Sequence, residues 1–116
     1  TSLQAVREYR GYMDAYPVKP PKRFGNSDYV PLRYSFVSLE GFFNAKVMAH
    51  ILDIYVTLGE KQNIGKVAES VSELDIGIDM PVRFGPKKHQ GLGAVYYTTV
   101  KQGKFIPITD FSRWAK

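Results

Sequence analysis

Apolar positions recur at helical spacing over the first stretch of the chain: Leu3, Val6, Tyr9, Met13 and Tyr16 fall three or four residues apart and trace one stripe on a helix. Thr1 and Gln4 stand at capping-box spacing, with Ser2 as a rival cap. Pro17 closes the segment, since it lacks a donor N–H and disfavours helix in the residue before it. Residues 17–31 carry Pro17, Pro20, Pro21, Gly25, Asn26 and Pro31 among Lys19, Lys22 and Arg23, a solvated connector without a regular period. Residues 32–37 read as a short strand. Ser38 is then an N-cap for a long helix over about 39–58, with Gly59 just beyond its end. On it Phe43, Val47, Ile51, Ile54, Tyr55 and Leu58 mark one face, and Phe42, Met48, Leu52 and Val56 carry apolar character onto the others, so the helix is expected to be largely buried.

Asn63 caps a third helix whose stripe is Ile64, Val67, Ala68, Val71 and Leu74. After Leu74 the period shortens. Ile76, Ile78, Met80, Val82 and Phe84 alternate with Gly77, Asp79, Pro81 and Arg83, a strand-like run interrupted by proline. Residues 85–91 are rich in turn formers. Residues 93–100 and 104–108 predict an aromatic-rich, buried hairpin around Gln102-Gly103. The order is helices first, then strands with a terminal hairpin, which predicts an α/β or α+β chain. A helix at the very start with no strand before it suggests a piece of something longer.

Composition narrows the function classes. The 116 residues include no cysteine and two histidines, so a disulfide framework, a thiolate metal site and a cysteine nucleophile are excluded, and a histidine-built metal site is not expected. Sixteen Lys plus Arg against eleven Asp plus Glu give a net charge of +5, but the basic residues stand in short groups (Lys19, Lys22, Arg23; Lys87, Lys88) rather than in one stripe, so nucleic acid is not an expected partner. No run of about 20 apolar residues is present to span a bilayer.

The enzyme patterns fail one by one. His50 and His89 are far apart in sequence. Residues 85–91 lack the strand–GxxxxGK[ST]–helix context of a phosphate loop. Ser38-Leu39-Glu40-Gly41 lacks the first glycine of a nucleophile elbow, and its plain reading is a helix start with Glu40 favourably placed against the helix dipole. Glu73, Asp75 and Asp79 match no calcium loop. No catalytic residue, metal site or cofactor is therefore predicted.

The run Ser38-Leu39-Glu40-Gly41-Phe42-Phe43-Asn44-Ala45-Lys46-Val47 resembles the "SLEGY-x-A-A-K/R-V" segment of type I periplasmic binding proteins, the solute receptors of branched-chain amino acid ABC transporters. In order, Leu74-Asp75-Ile76-Gly77 resembles that family's "dfdlG" element. Pro81-Val82-Arg83-Phe84-Gly85-Pro86 with His89-Gln90-Gly91 resembles its "V-x-F-G-P-x-x-H-Q-G" turn, and residues 95–107 resemble its closing hairpin. Val6-Arg7-Glu8-Tyr9 resembles the "F/V-x-x-Y" helix before the linker.

The resemblance spans the whole chain but only the C-terminal third of such a receptor. It implies an α/β fragment of a two-lobed fold that straddles the hinge, with residues 1–31 and 92–116 in one lobe and 32–91 in the other. The implied function is that of an extracytoplasmic receptor, periplasmic or at the cell surface, closing on an amino acid or related small solute. Its other partners would be the membrane permease and either the remainder of the polypeptide or a second copy. Tyr34, Ser35 and Ser38, near the crossover, are the candidate ligand-binding residues, with strand-to-helix packing and capping as the alternative role for each. The alternative function is an extracytoplasmic ligand-sensing domain of a signalling protein.

Overall fold

The computed structural model describes residues 3–17, 19, 22–24, 31–59 and 62–112. Among these residues three helices precede an antiparallel hairpin: α1 (Gln4–Ala15), α2 (Phe36–Thr57), α3 (Ile64–Ser70), β1 (Thr98–Lys101) and β2 (Lys104–Pro107), with a 3-10 turn at Lys22–Phe24. The architecture is a mixed helix and strand chain, as the order of patterns predicts. Among the described residues no helix is long and apolar enough to cross a membrane.

α1 starts at Gln4 with Leu3 in the cap position and no side-chain cap. The capping residues expected at Thr1 and Ser2 lie outside the described residues. One of the orphan N–H groups that every helix start leaves is instead taken by a distant segment: Ala5 N–H donates to the Gly77 carbonyl at 3.0 Å. This contact changes one position of the buried stripe of α1 and leaves Tyr9 in place. Ala5, not Val6, is fully buried, together with Tyr9, because only a small side chain admits the Gly77 backbone. The end of α1 falls at Ala15, where Tyr16 N–H still reaches Tyr12 and Pro17 prevents continuation.

α2 begins three residues earlier than the Ser38 cap predicts. Ser35 is extended (φ −144°, ψ 158°) and its hydroxyl accepts the Ser38 N–H, so Ser35 is the cap and Ser38 sits inside the first turn. The short strand expected over 32–37 is consequently absent: Arg33 and Tyr34 form a bend and Phe36 is already helical. Leu58 and then Gly59, at φ +78°, end the helix. α3 is capped by Asn63 as expected, its carboxamide accepting the Gly65 N–H, but it stops at Ser70 rather than Leu74. The Ser70 hydroxyl bonds back to the Val67 carbonyl, and the Val71 carbonyl is captured by the Phe84 N–H at 2.7 Å.

The run from Ile76 to Phe84 alternates in burial but does not form a strand. Ile76, Ile78 and Val82 are buried, while Gly77 (φ +85°) and Asp79 (φ +62°) turn the backbone out of the extended region. The run closes on itself through paired hydrogen bonds between Leu74 and Val82. It therefore acts as a buried loop whose side chains meet α1 and α2. Ala5, Ile76, Ile78 and Val82 make one core cluster, with Phe43, Val47, Leu74 and Phe84 against it. Ile51, Val67 and Val71 make a second, which shares Val47, Leu74 and Phe84 with the first. The two clusters are thus one continuous core between α2, α3 and the 71–92 segment.

Two expectations of burial are reversed. Of the residues in α2 only Ile51 is buried, and every residue of β1 and β2 is exposed. The hairpin itself forms as predicted, with Gln102 and Gly103 both at positive φ, the signature of a type I′ turn. It touches the body through the Phe36–Phe105 ring contact and the Tyr96 hydroxyl on the Ile78 carbonyl. The accessible surface, 9737 Å², exceeds the roughly 6,400 Å² expected of a folded monomer of this mass. The radius of gyration, 18.1 Å, likewise exceeds the about 13 Å of a compact chain of this length.

Gly77 is the most constrained glycine. A β-carbon there would stand 2.9 Å from the Ala5 nitrogen, and φ is +85°. Gly77→Ala is expected to cost about 1–3 kcal/mol in urea unfolding; a variant as stable as the parent would show that α1 does not dock on this loop.

Candidate functional site

Tyr34, Ser35 and Ser38 are brought together where α1 crosses the start of α2. The organising residue is Tyr9, whose side chain is 3 % exposed. Its hydroxyl accepts the Ser35 N–H at 3.0 Å and lies 2.5 Å from the Ser38 hydroxyl. Ser35 and Ser38 hydroxyls are 2.9 Å apart. Since Ser35 also caps α2, the three hydroxyls form one chain that fixes where the helix begins and where α1 sits on it.

Tyr34 continues the cluster outward. Its ring packs edge-on against Tyr9 at 6.1 Å, and its hydroxyl donates to Asp14 at 2.6 Å. Arg33 bonds the same Asp14 oxygen from Nε at 2.7 Å. The guanidinium carbons of Arg10 and Arg33 stand 5.4 and 5.7 Å from the Tyr34 ring centre, within cation–π range. The arrangement is an outward phenol and an arginine on one carboxylate, with the Ser35 and Ser38 hydroxyls behind them on Tyr9. Such a patch offers donors and acceptors to a small polar solute.

Deeper along the α1–α2 contact, Lys46 Nζ meets Glu8 at 2.7 Å and the Ile76 carbonyl at 3.1 Å, and lies over the Phe42 ring. One ammonium therefore ties α1, α2 and the buried loop together.

The glycine-rich loop is closed by mutual Gly85–Lys88 hydrogen bonds of 3.0 Å and by Arg83 N–H on the Gly91 carbonyl at 2.9 Å. At Gly91 a β-carbon would come within 2.8 Å of both Val82 and Phe84, so the last glycine of the "H-Q-G" turn is fixed by close packing. His89 sits 4.0 Å from Glu69 on the rim of a cleft of about 290 Å³ that Gly65, Ala68 and Phe84 also line. A second open cleft, about 400 Å³, lies by the start of α1 between Gln4, Glu73, Asp75, Gly77, Asp79, Met80 and Pro81. Neither cleft is lined by Tyr34, Ser35 or Ser38. Among the described residues no three His, Asp or Glu side chains converge as metal ligands.

Tyr9, Asp14, Arg33 and Lys46 belong to this junction; Asp14 and Arg33 stand in no sequence motif, and Tyr9 and Lys46 enter only as positions of the resembled motifs, without a role of their own. In the periodicity Tyr9 is one more apolar position, and the choice of tyrosine over phenylalanine is the signal that its buried end needs a polar partner. No family model, no curated protein and no solved structure matches the chain.

The carboxylates give the junction a pH dependence. Hydrogen bonds from Lys46, then Gln4, hold the Glu8 pKa below its usual value. The Tyr34 hydroxyl, then Arg33, does the same for Asp14, and the Asp14 acceptor raises the Tyr34 phenol in turn. A carboxylate depressed in the folded state contributes stability that is full above its unfolded pKa and lost as pH falls through the folded one. Stability in urea is therefore expected to decline on acidification below about pH 4.5. Glu8→Gln should flatten that decline, and an unchanged acid slope would exclude the Glu8–Lys46 pair from it.

Proposed function

We propose that this chain forms one part of a two-lobed extracytoplasmic receptor of the type I periplasmic binding protein kind, taking an amino acid or small amide by hinge closure for an ABC transporter. It is a binding module and not an enzyme. The observation that carries the reading is the ordered set of motifs, each of which coincides with a defined structural task. Ser38 lies in the hydroxyl chain at the start of α2 and Lys46 is the three-way tie. Gly77 carries the contact with Ala5, Gly91 packs under Val82 and Phe84, and Gln102-Gly103 makes the hairpin turn.

In this reading the half-exposed Tyr34 hydroxyl, with Ser35 and Ser38 behind it, supplies one wall of the solute cleft. The hydroxyls donate to a solute carboxylate or accept from its ammonium, and the second wall comes from the other lobe. The exposed hairpin, with Val100 60 % and Phe105 64 % accessible, supports packing against further structure of the receptor. The closed form would be what the permease recognises, in the periplasm or at the cell surface.

Thermal-shift measurements on the full-length polypeptide that contains this segment, against the amino acids and their amides, test the reading. A solute at a hundred times its Kd stabilises by about 2.7 kcal/mol, so at least one should raise the melting temperature, and Tyr34→Ala should reduce that rise. A folded protein that responds to none of them would overturn the proposal.

A further inference from the structure

We propose that the outer face of α2 is a homodimer interface, occupied by the antiparallel α2 of a second copy of this chain. The face is the stripe Val37, Gly41, Ala45, Met48, Leu52 and Val56, with Ala49 at its edge. At helical spacing these residues share about a third of the circumference, and none of them is polar. All are exposed, with Val37 at 79 %, Met48 at 51 %, Leu52 at 44 % and Val56 at 60 %. The opposite face is already spent on the core through Phe43, Val47 and Ile51. A helix of 22 residues that is apolar on both faces belongs in an interior.

The pattern of sizes along the stripe selects a copy of itself. A two-fold axis lying between the two helices, level with the Lys46–Val47 step, sets Val37 of one copy near Val56 of the other, Gly41 against Leu52, and Ala45 against Met48 and Ala49. Gly41 then meets Leu52 and Ala45 meets Met48, each pairing made twice across the axis with a valine pair at either end, which is the self-complementarity an isologous interface requires. The charges agree with this register. Glu40 and Asp53 lie on opposite edges of the stripe, so the two-fold brings neither against its like. The surface in excess of a compact monomer also leaves room for a standard interface of about 800 Å² per partner beside the hairpin contact assigned above. The proposal rests on this face alone, and association is read independently of solute binding.

Light scattering behind size exclusion tests it on the chain itself. The expected mass is twice 13.2 kDa, and Leu52→Glu should return it to a single chain at the same concentration, with unchanged helical circular dichroism. The cysteine-free sequence permits a second readout that does not depend on that variant folding. Ala45→Cys, close to the axis, should be linked to dimer size by a short bis-maleimide. Thr57→Cys should not, because an antiparallel register puts the two copies of that residue about 30 Å apart. A monomeric parent would assign the face to another part of a larger receptor and overturn the proposal. So would a Leu52→Glu dimer, or linkage at Thr57→Cys without linkage at Ala45→Cys.

Discussion

The structure depends on one closure: the first turn of α1 set down on the buried loop that follows α3. Ala5 is the pivot. Its N–H is satisfied by the Gly77 carbonyl, and its methyl group is enclosed by Ile76, Ile78 and Val82. Lys46 reinforces the same closure from α2 by reaching Glu8 on one side and the Ile76 carbonyl on the other. Tyr9 fixes the far end of the contact through Ser35 and Ser38. Segments far apart in sequence thereby become one body, while the hairpin stays outside it with both strands in solvent. A backbone bond at a helix end needs a close approach, and that approach explains both the small residue at position 5 and the glycine at position 77.

What was legible in the sequence was whatever local chemistry decides. Asn63 capping α3, Pro17 ending α1 and Gln102-Gly103 turning the hairpin all act within a few residues. What was not legible came from partners distant in the chain. Two serines three residues apart both suit an N-cap, and the Ser35 N–H, donated to the Tyr9 hydroxyl, holds Ser35 in the extended cap conformation while Ser38 turns into the helix. The alternation from Ile76 to Phe84 correctly marks which side chains go inward. It misleads about the strand, because positive φ at Gly77 and Asp79 turns the backbone aside while keeping the inward residues inward. Ala5 gave no hydrophobic signal at all, since its burial follows from the backbone that covers it.

The candidate residues Tyr34, Ser35 and Ser38 fall into one cluster, and the geometry separates their roles. Ser35 and Ser38 are committed to positioning α1 on α2, while Tyr34, held by Asp14 and flanked by two guanidinium groups, faces outward. A solute site at this junction would therefore be coupled to the packing of α1, since the hydroxyls that a solute would meet are those that hold the helices together. The apolar surface divides in the same way: the inner face of α2 builds the core, and its outer face and the hairpin are left for other structure.

Native-state hydrogen exchange tests the closure most directly. The Ala5 amide, held by Gly77, should open with the same free energy as the Leu74, Val82 and Phe84 amides, because α1 and the loop share one core and open as one cooperative unit. The hairpin amides of Thr98–Lys101 should exchange faster and separately. An Ala5 amide that exchanges orders of magnitude faster than Val82, as at a freely fraying helix end, would contradict the account.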